Sequence, residues 1–124
     1  MLGKRNAVAN LAVSDLGRAR DFYTGTLGLI EVDQEGDELV VLKSGDSLVN
    51  VYRSEYAGTN EATAVTWAVD DIEAEVAALK GKGVMFEHYD MPGLALEGDV
   101  HVGADMKVAW FKDPDGNILN IVEG

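Results

Sequence analysis

An α+β fold made of two tandem βαβββ modules is what this sequence predicts, and three observations carry the prediction. The hydrophobic pattern runs strand, helix, strand, strand, strand, and then repeats that order. Stretches of the two halves overlay: AVSDLGRA at 12–19 on AVDDIEAE at 68–75, VLKSGD at 41–46 on WFKDPD at 110–115, and LVNVY at 48–52 on ILNIV at 118–122. The offset grows from 56 (12 to 68) to 70 (48 to 118), which places the added length mainly in one connection, roughly residues 89–105. Neither module alone buries a helix and both sheet faces. One domain over 1–124 is therefore expected, with modules at about 5–57 and 63–124 joined by a short polar stretch at 54–62.

The elements follow in order. Ala7–Val13 reads as a strand. A helix comes next, with Ser14 or Asp15 as N-cap and Leu16, Ala19, Phe22 and Tyr23 on one face; Gly25 and Gly28 mark its end. Leu29–Asp33, Glu38–Lys43 and Ser47–Arg53 are strands separated by the turn stretches QEGD and SGD. In the second half Ala64–Val69 is a strand. Asp70 is the expected cap of the second helix, with Glu73 completing a capping box and Ile72, Val76 and Leu79 forming its apolar stripe. Gly81 and Gly83 end it. Val84–His88, Met106–Lys112 and Asn117–Glu123 are the remaining strands, the last two joined by an Asp-Pro-Asp-Gly turn to which Asp113 and Asp115 belong.

Composition limits the chemistry. There is no cysteine, so disulfides, thiolate nucleophiles and Cys-bound zinc are excluded. No apolar run approaches a membrane span, and a soluble, cytoplasmic protein is expected. The formal net charge of −12 disfavours nucleic acid and anionic membranes as partners and favours a cationic ligand.

Two asparagines, Asn50 and Asn120, stand in the middle of strands that otherwise read as buried. Strand alternation puts Leu48, Asn50 and Tyr52 on one face, and Ile118, Asn120 and Val122 on the matching face of the second module. Val8, Asn10 and Ala12, and likewise Ala64, Thr66 and Ala68, line up on the first strands. Trp67 has the opposite parity and is expected beneath the helix. Trp110 and Phe111 are adjacent, so one faces the open side and the other the core; the pattern does not choose between them. The candidate ligand-binding residues are Asn10, Asn50, Tyr52, Thr66, Met91, His101, Trp110, Phe111 and Asn120, an apolar lining with a few amides and a phenol. The purely structural alternative is that the asparagines bond each other, backbone or water. His88 and His101 have no ligand spacing and are expected to be partly exposed. The segment YDMPGLALEGDVHVGAD at 89–105 is expected to be a mobile cover that brings Met91 and His101 to the ligand. No catalytic nucleophile stands out.

The segments NLAVSDLGRARDFYTGTLGL at 10–29 and AWFKDPDGNILNIVEG at 109–124 resemble the vicinal oxygen chelate superfamily of glyoxalases, extradiol dioxygenases, fosfomycin-resistance proteins and bleomycin-binding proteins. The resemblance covers nearly the whole chain. It implies that the modules form a curled mixed-sheet cup. In the metal enzymes of that family four ligands, usually His, Gln or Glu, lie on the first and last strands of each module. The matching positions here are Val8, Asn50, Ala64 and Asn120. Two alkyl groups and two neutral amides are poor donors for Zn²⁺, Ni²⁺ or Fe²⁺, so no metal or other cofactor is expected. The resemblance then implies a metal-free small-molecule binding protein, akin to the acidic, dimeric bleomycin-binding proteins, with a cationic or aromatic ligand and a homodimeric assembly. The alternative is a metal-independent lyase, isomerase or detoxifying enzyme using an acid or base such as Glu31, Glu38 or Glu87.

Overall fold

The computed structural model describes residues 1–124. The chain divides into two compact units, Met1–Gly58 and Thr59–Gly124, with the boundary inside the polar stretch that joins the repeats. No helix is long and apolar enough to cross a membrane.

The first unit runs from a short 3-10 turn at Leu2–Lys4 through β1 (Ala9–Val13), α1 (Leu16–Arg20), β2 (Ile30–Glu35), β3 (Leu39–Ser44) and β4 (Ser47–Arg53). The sheet order is β1-β4-β3-β2. β1 and β4 are parallel, while the other pairs are antiparallel. A parallel pair needs a crossover, and α1 supplies it. Asp15 starts the helix by accepting from the Arg18 backbone N–H at 3.0 Å. The helix continues as a π-helical turn over Asp21–Thr26, with the Leu27 N–H donating to the Phe22 carbonyl at 3.0 Å. It therefore runs through Gly25, and the backbone reverses only at Gly28, whose φ is 83°. Leu16, Ala19 and Tyr23 are buried, and α1 lies against β3 and β4, whose Val40, Leu42, Val49 and Val51 are buried together with Leu11 and Val13 of β1. Each such side chain contributes roughly 1.5–3 kcal/mol when fully buried.

The second unit contains β5 (Thr63–Ala68), α2 (Ile72–Gly81), β6 (Phe86–Glu87), β7 (Ala95–Glu97), β8 (Val100–Val102), β9 (Lys107–Lys112) and β10 (Ile118–Glu123). Its sheet runs β5-β10-β9-β8-β7, with β6 also paired to β9, and β5 is parallel to β10. The repeat is therefore present in the backbone: first strand beside last strand in each unit. α2 covers β9 and β10, and Ile72, Val76 and Leu79 are buried as the stripe predicts. The Phe111 ring is the centre of this core, stacked 6.5 Å from Trp67 and edge-on 5.7 Å from Phe86.

Several expectations are corrected. The cap of α2 is Asp71, which accepts from the Ala74 N–H at 3.1 Å; Asp70 precedes it. Glu73 makes no capping box and instead accepts from Lys107 Nζ at 2.7 Å. β1 begins at Ala9, so Val8 stands just outside it. The connection at 89–105 is not irregular throughout. It carries the β7–β8 hairpin, whose two-residue turn is Gly98-Asp99, with Gly98 at φ 64°. The Asp-Pro-Asp-Gly turn is held by Asp113, which is buried and accepts from the N–H groups of Asp115 and Asn117 at 2.9 Å and from Asn117 Nδ2 at 2.8 Å.

Asp99 fastens the added hairpin to its own unit. Its carboxylate accepts from Lys80 Nζ at 2.7 Å, at the end of α2, and meets His88 Nε2 at 2.8 Å. The Lys80 hydrogen bond, and after it the His88 one, hold the Asp99 carboxyl below the usual aspartate range. A depressed folded-state pKa adds stability that is present above the unfolded value and is lost as pH falls through the folded one. Asp99→Asn is therefore expected to lower the melting temperature at neutral pH. The deficit should vanish on acidification below the ordinary carboxylate range, as read by calorimetric melts across pH.

Candidate functional site

In each unit the helix covers one face of the sheet, and the candidate ligand residues on its strands, Phe111 excepted, stand on the other. In the first unit the parallel register sets Asn10 opposite Asn50. Asn50 Nδ2 donates to Asn10 Oδ1 at 3.2 Å, and Asn10 Nδ2 donates to the Val8 carbonyl at 3.4 Å. Leu48 and Tyr52 flank this pair and are exposed. In the second unit the corresponding pair is Thr66 opposite Asn120. Asn120 is only 8% exposed, and its Oδ1 has no donor within the protein. The two asparagines are thus equivalent in the repeat but not in their bonding. Asn50 bonds Asn10 in its own unit, which is a pairing the sequence does not announce.

Neither unit offers a metal half-site at the positions that the resemblance implies. Val8 and Ala64 carry no donor atom, and the amides of Asn50 and Asn120 are neutral. These residues do not fit a divalent transition metal. The carboxylates of Asp71, Glu73 and Glu123 do gather within 4.8 Å of one another. Each has other work, however. Asp71 caps α2, Glu123 accepts from the Ile72 N–H at 3.0 Å, and Glu73 is bonded to Lys107. The same hydrogen bond pushes Lys107 up and holds Glu73 down relative to their ordinary values. The acid/base candidates are likewise engaged: Glu31 with Arg20, Glu38 with Arg53, and Glu87 with Lys112.

The second unit does build a cleft. Register puts Trp110 opposite Asn120 on the open face, which leaves Phe111, 1% exposed, on the helix side. Phe111 is thus a core residue. Trp110 Nε1 donates to Thr63 Oγ1 at 3.1 Å, which fixes the indole. The Tyr89 ring meets it edge-on, with centroids 5.3 Å apart at 82°. These rings, with Met91 and Ile118, wall a cleft of about 440 Å³ whose lining also includes the acidic residues Glu61 and Asp90. This is within the usual range for small-molecule sites, roughly 300–1,000 Å³.

His101 stands behind the two rings. It is not partly exposed, as expected, but 1% exposed on β8. Its Nε2 accepts from the Tyr89 N–H at 3.0 Å, which assigns the neutral ring's proton to Nδ1. Nδ1 has no acceptor within the protein. The imidazole stacks 6.3 Å from Tyr89 and lies edge-on 4.9 Å from Trp110, so it supports both walls.

A second cleft, of about 370 Å³, opens beside the start of α1 and includes Asp15, Arg20, Asp37 and Arg53. Its arginines are already bonded to Glu31 and Glu38, and it has no aromatic wall. The aromatic cleft is the better ligand site.

The structure therefore brings Met91 and Trp110 to one cleft, sets His101 behind it, and places Asn120 and Thr66 on the same sheet face. Asn10, Asn50 and Tyr52 lie on the first unit. Sequence reasoning missed Tyr89 and Thr63. Both had a signal: Thr63 lies one residue before the expected strand, and Tyr89 opens the segment singled out as a cover.

The family model described as the glyoxalase/bleomycin resistance protein/dioxygenase superfamily matches residues 5–121. The chain belongs to this superfamily. No curated protein sequence matches it. Solved structures show the superfamily fold over nearly its whole length. An antibiotic-binding protein from a Streptomyces species is 22% identical with a TM-score of 0.69, covering 99% of this chain and 98% of that one. A lactoylglutathione lyase from Agrobacterium tumefaciens is 18% identical with a TM-score of 0.71, covering 98% and 94%. A fosfomycin resistance protein from Listeria monocytogenes is 13% identical with a TM-score of 0.72, covering 95% and 91%. At these identities the likeness is one of fold, and within the superfamily this fold serves binding proteins and enzymes alike.

The role given to His101 is testable. His101→Leu removes the acceptor for the Tyr89 N–H without adding a charge. The Tyr89 amide is expected to exchange with solvent roughly fivefold faster, the equivalent of about 1 kcal/mol for one hydrogen bond, while amides of β10 keep their protection in hydrogen-exchange NMR.

Proposed function

We propose that the protein is a metal-free small-molecule binding member of its superfamily, taking a cationic or aromatic ligand in the cleft of its second unit. The observation that carries this reading is the cleft itself, walled by Tyr89, Trp110 and Met91 and rimmed by carboxylates. Met91 and Trp110 contact the ligand in this reading, and His101 holds Tyr89 in place. The donor chemistry of Val8, Asn50, Ala64 and Asn120 supports binding without a metal. The antibiotic-binding protein among the structural neighbours supports this reading, because a protein of the same fold binds a small molecule; in this reading the protein acts in the cytoplasm.

The test is a thermal-shift screen with organic cations, aromatic metabolites and antibiotics, read together with tryptophan fluorescence. A true ligand at about 100 times its Kd adds roughly 2.7 kcal/mol and raises the melting temperature by several degrees, and Trp110→Leu should abolish the shift. Calorimetry with Zn²⁺ and Ni²⁺ should show no stoichiometric binding. Tight one-to-one metal binding, lost in Asn50→Ala or Asn120→Ala, would return the chain to the metal enzymes.

The same proposal includes a homodimer. β2 is an edge strand, and its Ile30 and Val32 are exposed, so the first unit leaves an apolar stretch beside an unpaired edge. Light scattering at micromolar concentrations should give twice the monomer mass, and Ile30→Lys should reduce it to one.

A further inference from the structure

The chemistry of the cleft selects between the two kinds of ligand just named. We infer that it recognises an organic cation, a quaternary or tertiary ammonium on a small apolar body, through the faces of Tyr89 and Trp110 and the carboxylates of Glu61 and Asp90. This rests on the reading of the cleft as a small-molecule site and goes further by fixing the ligand's charge.

Three observations carry it. The lining includes two carboxylates and no basic side chain, so its own charge is negative. The indole N–H of Trp110 is consumed by Thr63 Oγ1 at 3.1 Å, so what Trp110 can offer a ligand is its π surface and not a hydrogen bond. The Tyr89 ring stands at 82° to the indole, so the two form adjoining walls of a corner and not a parallel slot. A parallel slot would suit a flat neutral ring. An edge-to-face corner suits a rounded cation, because a ring face left open to the cleft attracts positive charge within about 6 Å of its centroid. The corner is also set before the ligand arrives. Thr63 holds one wall, and His101, bonded to the Tyr89 N–H at 3.0 Å, holds the other. Binding therefore spends little on ordering the walls. The net charge of −12 acts in the same direction at longer range, by steering cations toward the protein.

The test compares two molecules of the same shape that differ in charge, choline and 3,3-dimethylbutan-1-ol, by chemical-shift titration of the intact protein. Choline is expected to shift the Trp110 indole and Tyr89 resonances and to bind at least about tenfold more tightly than the alcohol. The double variant Glu61→Gln, Asp90→Asn changes only exposed side chains, and it should weaken choline about tenfold while leaving the alcohol unchanged. Equal binding of the two molecules at Trp110 overturns the cation inference and leaves the small-molecule site standing. The same holds if the double variant does not distinguish them. If neither molecule, nor any compound of the thermal-shift screen, moves the Trp110 or Tyr89 resonances, the cleft is not a ligand site and both readings fall.

Discussion

Each unit is built around a parallel pair made of its first and last strands, and the position of everything functional depends on that pairing. Parallel neighbours cannot be joined by a tight turn, so the chain must cross over through a helix. The helix covers one sheet face and leaves the other open. Period-two alternation then sorts every residue of β1, β4, β5, β9 and β10 to one side or the other. Register decides which polar groups meet: Asn10 with Asn50, Thr66 with Asn120, Asn120 with Trp110. A slip by one residue in β9 would exchange Trp110 for Phe111 on the open face. The buried Asp113 network fixes the turn between β9 and β10 and with it favours the observed register of those strands.

Most of this architecture was legible in the sequence because the duplication states it twice. Ser47–Arg53 has the bounds that its alternation predicts, the stripe of the second helix is buried, and that of the first is buried except for the half-buried Phe22. Where the reading failed, a second signal was present. The overlay pairs Asp15 with Asp71, not Asp70, and Asp71 is the cap. The hairpin at 95–102 was hidden inside a stretch read as a cover, although Gly98-Asp99 is a favoured two-residue turn and Val100-His101-Val102 alternates. The choice between Trp110 and Phe111 was not legible at all. Two adjacent aromatics have opposite parity in either register, and only the pairing with β10 decides.

The burial of His101 follows from that hairpin. As a loop residue it would be solvated; as the centre of β8 it is placed under the aromatic corner. Its ring does two jobs that no aliphatic side chain could do together. It accepts from the Tyr89 N–H, which would otherwise be left unpaired at a cost of about 1–3 kcal/mol, and it fills the space behind two larger rings. The accompanying cost is a buried Nδ1 with no protein acceptor. Asn120 Oδ1 carries a similar cost on the neighbouring part of the same face. Buried polar atoms of this kind are few in native folds. Here both lie beside Trp110.

The distribution of charge separates the surface from the site. Several acidic residues are offset locally: Glu31 by Arg20, Glu38 by Arg53, Glu73 by Lys107, Asp99 by Lys80. Such exposed pairs add little stability, typically under about 1 kcal/mol each, but they consume the scarce basic residues. With 22 acidic and 10 basic side chains, pairing at these places leaves other carboxylates without a countercharge. The cleft is one such place, since Glu61 and Asp90 line it and no lysine or arginine does. A carboxylate on an open surface is solvated and exerts a weak field. Glu61 and Asp90 are exposed too, but they stand beside Tyr89 and Trp110 with no basic side chain in the lining to offset them. The aromatic corner and the unpaired acids therefore reinforce each other, and the preference of this cleft follows from where the chain does not place its few cations.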